Sequence, residues 1–270
     1  MKQRENLWLR SGRPARGPRL RFSRDQMTRA AIAIADTEGL AALSMRRLAA
    51  ELDANPMSPY SYVTGKDELI ELMVDAATAE FLRPDDTALG GWRAEVRALT
   101  DRMRSAMRRH PWLTELGLLR QAASPNRIRL FEQVLEVLDG LRLSMDEMLT
   151  TMGMIFVHVH GFLQMEVADQ EAQRRTGLDL EQWMRQQTPY IQSVIASGDH
   201  PMFARMTVEA GRALTGFDER WEYALERLLD SIENAASGSS DRSHADGLGR
   251  STSEGPREGA EPHSGPSQGA

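Results

Sequence analysis

SMRRLAAELDANPMSPYSYVTGKDELI, Ser44 to Ile70, decides the fold. Ser44 is a good helix N-cap, and Met45, Leu48, Ala49 and Leu52 follow at i, i+3, i+4 and i+7, one apolar helical face. Asp53-Ala54-Asn55 breaks that face. Asn55 and Pro56 then supply an N-cap and a proline at the first helical position, so a short second helix is expected from Pro56. Thr64-Gly65-Lys66-Asp67 is a start signal for another helix, with Leu69, Leu72, Met73 and Ala76 behind it. Two short helices across a tight turn form a helix-turn-helix, whose second helix lies in the major groove of DNA. A helical hairpin inside an all-α core has the same spacing, so spacing alone leaves both readings open.

Outward from this stretch the chain reads as helices. Upstream, Ser23-Arg24-Asp25-Gln26 is a capping box, and the helix it opens carries Met27, Ala30, Ala31 and Ile34 on one face and stops at Gly39. That face is expected to pack on the two motif helices. Downstream, a helix from about Lys66 to Phe81 ends before Pro84. Trp92, Val96, Leu99, Met103 and Met107 mark the next helix, and Ser124-Pro125 opens another with Ile128, Phe131, Val134, Leu135 and Leu138 as its stripe. Ser144-Met145-Asp146-Glu147 caps a third, nearly all apolar or small from Met148 to Val167, which predicts burial on every side. Further helices are expected over Leu180 to Ala196 and Asp218 to Ala236, with a short one after Met202. From Ser237 onward the chain is Gly, Ser, Pro and charge, too poor in apolar side chains to offset ordering entropy.

Composition narrows the function classes. The 270 residues include no cysteine, which excludes disulfides and thiolate chemistry. No signal-peptide core is present, and His158, His160, Gln164 and Glu166 argue against a membrane span in the long apolar helix. A cytoplasmic protein without membrane partners is the expectation. No nucleophile elbow, phosphate-binding Gly loop or dinucleotide fingerprint occurs, so no catalytic residue, cofactor or metal is assigned and the chain is not read as an enzyme. His158 and His160, two apart on a helix, point roughly 200° from each other and do not share a metal through one face. The net charge of −6 is unevenly spread: residues 1–66 carry twelve Lys and Arg against six Asp and Glu. Arg10, Arg13, Arg16, Arg19, Arg21 and Arg24 form a basic arm suited to following phosphates or entering the minor groove.

The residues also carry a resemblance. Ala30 to Leu40, Leu43 to Ala49, Tyr60-Ser61-Tyr62-Val63 and Lys66-Asp67-Glu68-Leu69 resemble the DNA-binding domain of the TetR/AcrR family of bacterial transcriptional regulators. Arg109-His110-Pro111-Trp112 and Trp221 to Asp230 are similar to a tetracycline-repressor type of C-terminal domain. The resemblance implies an all-α protein: an N-terminal three-helix helix-turn-helix domain joined to a larger helical ligand-binding and dimerisation domain. The boundaries follow as a basic disordered arm over 1–22, the helix-turn-helix domain over 23–66, the ligand-binding and dimerisation domain over 67–236 and a disordered tail over 237–270.

It further implies a ligand-responsive repressor that binds a palindromic double-stranded DNA operator as a homodimer and leaves it when a small-molecule effector binds. By resemblance, Met45, Arg46, Pro56, Met57, Ser58, Tyr60, Ser61, Tyr62 and Lys66 occupy DNA-contacting positions. Three departures stand out: Asp53 where the family usually has a turn glycine, Pro59 where a leucine usually packs inward, and Ser61 in place of arginine or an aromatic. With the acidic motif, Pro59 favours an alternative, a helical small-molecule-binding or scaffold protein that kept the fold but lost specific DNA binding. For the effector, Met103, Met107, Trp112, Phe131, Met152, Phe156, His158 and Phe162 lie on helices expected to face one another, and methionines with aromatics suit an adaptable pocket. The dimer is expected through the Met148–Val167 and Trp221–Ile232 helices, with Leu225 and Leu228 in the interface.

Deleting Met1 to Arg19 is expected to leave the fold intact and weaken DNA affinity. Each phosphate that the protein no longer neutralises reduces the log–log salt slope by about 0.9. An unchanged slope, measured by titration at several salt concentrations, would make the arm a mere tail.

Overall fold

A computed structural model describes residues 7–10, 22–84, 90–117, 123–210 and 216–249, and among these the regular structure is entirely helical. The first helical turn, α1, is Leu7–Arg10. Leu7 is buried and Trp8 packs against the core, so these two apolar side chains anchor a segment expected to be disordered. A truncation to Arg19 would remove that anchor, and the deletion that isolates the basic arm therefore begins at Ser11. Residues 11–21 lie outside the described residues.

α2, Arg24–Glu38, starts at the capping box read from sequence: Ser23 Oγ accepts the Gln26 N–H and Gln26 Oε1 accepts the Ser23 N–H. Met27, Ala31 and Ile34 are buried against α3, Met45–Glu51, and α4, Lys66–Thr78. Gly65, not Thr64, precedes α4, and the Thr64 N–H donates to Glu68 Oε2. A 3₁₀ turn, Ala79–Phe81, extends α4 and delivers the chain to the larger half.

In that half, α5 is Trp92–Arg109, followed by a 3₁₀ segment, Pro111–Glu115, then α6, Pro125–Asp139, and α7, Met145–Thr176. The buried stripe of α6 is Leu130, Val134 and Leu138, whereas Ile128, expected inside, is 59% exposed. α7 keeps its capping box at Ser144 and Glu147 but runs nine residues past Val167. It is long and apolar enough to cross a membrane by length and composition alone. Glu166 within it is nevertheless buried and paired with Arg104 and Arg108 of α5, which also reach Asp218.

The expectation that α7 is buried on every side is corrected. Met148, Met152, Ile155, Val159 and Leu163 face the core, but Leu149, Met154, Val157 and Met165 are 43–63% exposed. A single chain supplies neighbours for only one side of this helix. α8, Leu180–Ser197, and α9, Pro201–Glu209, bury no residue at all, leaving Trp183, Tyr190, Met202 and Val208 on the surface.

α10 is Phe217–Gly249. It passes Ser237, where a disordered tail was expected; a helix already nucleated gains one hydrogen bond for each residue it fixes, so it extends more readily than a new one starts. Residues 250–270 lie outside the described residues. Trp221, Leu225, Leu228, Leu229 and Ile232 of α10 are buried within the chain itself. Leu225 and Leu228 therefore belong to the subunit core rather than to a subunit interface.

Candidate DNA-binding surface and ligand cavity

The helix-turn-helix departs from its sequence reading at the second helix. A helix begun at Pro56 would place Pro59 where a backbone N–H must bond one turn back, and proline has none. The chain instead folds Asn55 into a turn, with Asn55 Oδ1 accepting the Met57 N–H at 2.9 Å and Asn55 O accepting the Ser58 N–H at 2.8 Å. Only one 3₁₀ turn follows, Ser58–Ser61, with Pro59 in its first positions. The Pro59 carbonyl accepts the Tyr62 N–H at 3.0 Å and the side chain is buried, so proline fills the inward place itself. Asp53 sits at φ +46°, the left-handed conformation that explains a glycine there; aspartate is among the side chains that tolerate it.

This geometry sorts the expected DNA contacts. Arg46, Pro56, Met57, Tyr60 and Ser61 are exposed and Ser58 is half-buried. Arg46 makes no hydrogen bond or ion pair among the described residues. Met45 is buried at 8% exposure, because the first residue of α3 points along its apolar face, so it belongs to the core. Tyr62 also turns inward: its ring stacks on Phe22 with centroids 5.1 Å apart and its hydroxyl donates to the Phe22 carbonyl. Burial pushes the phenol of Tyr62 above its usual value. Lys66 Nζ donates to the Leu40 carbonyl at 3.0 Å, tying α4 to the loop after α2 and leaving two of its N–H donors. Arg47, not singled out from sequence, bridges Glu38 at 2.7 Å and Glu51 at 2.8 Å and so braces α3 on α2.

A cavity of about 620 Å³, counting the part open to solvent, lies among α4, α5, α6 and α7. Met103, Met107, Phe131 and Phe156 line it as expected. Trp112, Met152, His158 and Phe162 do not. Trp112 and Met152 are buried elsewhere in the core. His158 and Phe162, four apart, turn to Trp221 of α10, with ring centroids 5.2 and 5.6 Å from it. Phe156 and His160, also four apart, share the face toward the cavity. His160 was missed; the i, i+4 spacing from Phe156 was its signal. Arg127, which lies over the Phe131 ring at 5.1 Å, was missed as well, as were Phe81 and Leu113.

Between the two surfaces lies a polar joint. Asp36 of α2 accepts from His110 Nδ1 at 2.8 Å and from Trp112 Nε1 at 2.7 Å. His110 Nε2 meets Glu80 at 3.1 Å, and Arg109 also binds Glu80. Burial pushes the Glu80 carboxyl up, but hydrogen bonds from Arg109 and His110 outweigh it and hold the group below its usual range. Leu113, the next residue after Trp112, is part of the cavity wall. The segment resembling the tetracycline-repressor type, Arg109 to Trp112, is thus the seam between the helix-turn-helix head, α2 to α4, and the larger half.

Comparison with known proteins gives the same picture. Residues 83–236 match the family described as "Tetracyclin repressor-like, C-terminal domain". The HTH-type transcriptional repressor DrrR1 of Streptomyces coeruleorubidus is 38% identical over 230 residues, 85% of this chain and 84% of that protein. The fold is similar to that of apo ActR from Streptomyces coelicolor, with TM-score 0.68 and 24% identity over 83% of this chain and 99% of that one. ActR in complex with actinorhodin is similar at TM-score 0.66 and 24% identity, covering 78% and 95% of the two chains. The chain therefore belongs to the TetR family of helix-turn-helix transcriptional regulators, with a tetracycline-repressor-like C-terminal domain.

Proposed function

We propose that this protein is a cytoplasmic homodimeric repressor, released from a palindromic operator when a small molecule fills the cavity among α4 to α7. The observation that carries this reading is the Asp36–His110–Trp112 joint. It links the DNA-reading head to a segment that, one residue later, lines the cavity. Bulk entering the cavity pushes on Leu113 and shifts the residues holding Asp36, which changes how the head is carried. A ligand acts only through such a difference between two states.

On the DNA side, Arg46 reads a base edge: it is exposed, uncommitted among the described residues, and its planar fork suits guanine O6 and N7. Met57 and Tyr60, 67% and 45% exposed, offer apolar surface to thymine methyl groups. Lys66 combines its bond to Leu40 with a phosphate contact near the start of α4. The dimer forms through the open face of Met154, Val157 and Met165 on α7, with the exposed apolar side chains of α8 and α9 covered by the partner. A second reading, a ligand-binding protein without operator specificity, is favoured by the single 3₁₀ turn in place of a full recognition helix.

Three measurements check these assignments. Titration of the protein's own upstream DNA at two salt concentrations is expected to give saturable binding that survives competitor; purely non-specific binding that vanishes with salt supports the second reading. Arg46→Ala is expected to cost about 1–3 kcal/mol on the preferred site and relax its sequence preference, while Lys66→Ala weakens all sequences alike and lowers the salt slope by about one. Binding-site selection that returns the wild-type preference for Arg46→Ala removes its role. Val157→Glu, placing a charge in the apolar stripe, is expected to give folded monomers by light scattering; a persistent dimer would move the interface elsewhere.

A further inference from the structure

Leu130 and Phe131, two side chains of the cavity wall, lie on a stretch of α6 that is fastened to its neighbours at both ends. At its start α6 has no cap of its own. Ser124 occupies the N-cap position with extended backbone, but its side chain makes no capping hydrogen bond, and Pro125 at the first helical position has no N–H. The first N–H of the helix, that of Asn126, donates instead across the seam to Asp75 Oδ1 of α4 at 2.8 Å. Asn126 Nδ2 donates to Asp75 Oδ2 at 2.9 Å and to the Asp75 carbonyl at 3.1 Å. Asp75 is buried, so a carboxylate of α4 caps α6 from outside, where negative charge suits the helix dipole. Two turns further on, about 10 Å along the helix axis, Gln133 makes the second fastening. Its Oε1 accepts the Arg83 N–H at 2.8 Å and its Nε2 donates to the Arg83 carbonyl at 3.3 Å.

The first fastening adjoins the cavity on both helices. Val74, next to Asp75, and Arg127, next to Asn126, line it, as does Thr78 one turn on in α4. Apolar contacts between two helices tolerate sliding, whereas charge-assisted bonds between one carboxylate and one asparagine are directional and break together. We propose, resting on the effector reading above, that Asp75 is the latch of the cavity, a positioning residue that holds the first turn of α6 closed over the ligand. Ligand enters and leaves when Asn126 lets go of Asp75 and that turn swings away from α4. The far end of α6 stays seated by Val134 and Leu138, both buried, and by the Gln133–Arg83 pair. No side-chain cap within α6 replaces Asp75, so release frees the first turn. Opening admits water to the carboxylate, so it is not left dry and unpaired, and closing restores its charge-assisted bonds. The latch is made alike in the empty and the filled closed states. It therefore sets how fast ligand exchanges and not how tightly ligand is held.

Stopped-flow fluorescence with N-phenyl-1-naphthylamine, an uncharged apolar probe, reads the latch directly on the full-length protein. Asn126→Ala keeps the backbone bond to Asp75 and removes the side-chain bonds, and Asp75→Asn keeps the shape and removes the charge, so both variants are expected to fold. Each is expected to raise the association and dissociation rates together by about tenfold, the size of one lost hydrogen bond to a charged group, and to leave Kd within about twofold. The double variant gains little beyond the faster single one, because both act on one contact. Gln133→Ala leaves both rates near wild type, and Phe156→Ala raises Kd. Unchanged rates in both latch variants, or a rise in the dissociation rate alone, would overturn the latch and leave the effector cavity standing. A rate increase in Gln133→Ala equal to that of the latch variants would mean that any loosening of α6 suffices, and would overturn it as well. Full retention of affinity in Phe156→Ala would put the probe outside the cavity and also overturn the proposal. Absence of binding to the wild type would remove the cavity reading itself, and the latch with it.

Discussion

The Asp36 carboxylate is the point on which the two halves of the chain depend. It lies near the end of α2, the central helix of the DNA-reading head, and accepts hydrogen bonds from His110 and Trp112 of the body. His110 is buried and faces a second carboxylate, Glu80, through its other nitrogen. Hydrogen bonds to charged groups each contribute about 1.5–3 kcal/mol, and in a partly dry seam they set direction as well as strength. In the function proposed above, this joint is the element that carries movement of the 3₁₀ segment to the head. Within the head, Arg47 on Glu38 and Glu51 joins α3 to α2, and the bond from Lys66 to Leu40 joins α4 to the loop after α2.

The body is built around a different charge cluster. Arg104, stacked over Trp221 at 4.7 Å, pairs with Glu166 and Asp218, and Arg108 binds the same two carboxylates. These interactions join α5, α7 and α10. Hydrogen bonds from Arg108 and Arg104 hold the exposed Asp218 carboxyl below its usual value. The charged side of α7 thus faces α5 and α10, the Phe156–His160 face looks into the cavity, and Met154, Val157 and Met165 look outward. One helix thus presents a face packed in the core, a face lining the cavity and an open apolar face.

Local signals were legible in the sequence because they act over a few residues. The capping boxes at Ser23 and Ser144 and the Ser44 cap gave helix starts that the structure reproduces. Pro59 carried its own warning, yet the start at Pro56 conflicted with it, and the missing N–H decided the outcome by shortening the helix to one turn. Tertiary choices were less visible. His158 and His160 look alike in sequence, and only the packing of α10 against one side of α7 tells them apart. Met45 and Tyr62 match DNA-contacting positions by resemblance, but burial of one and the stacking of the other on Phe22 take them from the surface. The open stripe of α7 reads as core in the sequence because apolar residues do not say which chain will cover them.

The claim that matters most is that the cavity and the DNA surface communicate through Asp36. It is tested without knowing the effector by building bulk into the cavity wall with Leu113→Trp and measuring affinity for the upstream DNA duplex, in the wild-type background and in Asp36→Asn. With Asp36 intact, the added indole is predicted to weaken specific binding about tenfold, a coupling of about 1.4 kcal/mol, and to have little effect once the joint is cut. An equal weakening in both backgrounds, or none in either, would contradict the account.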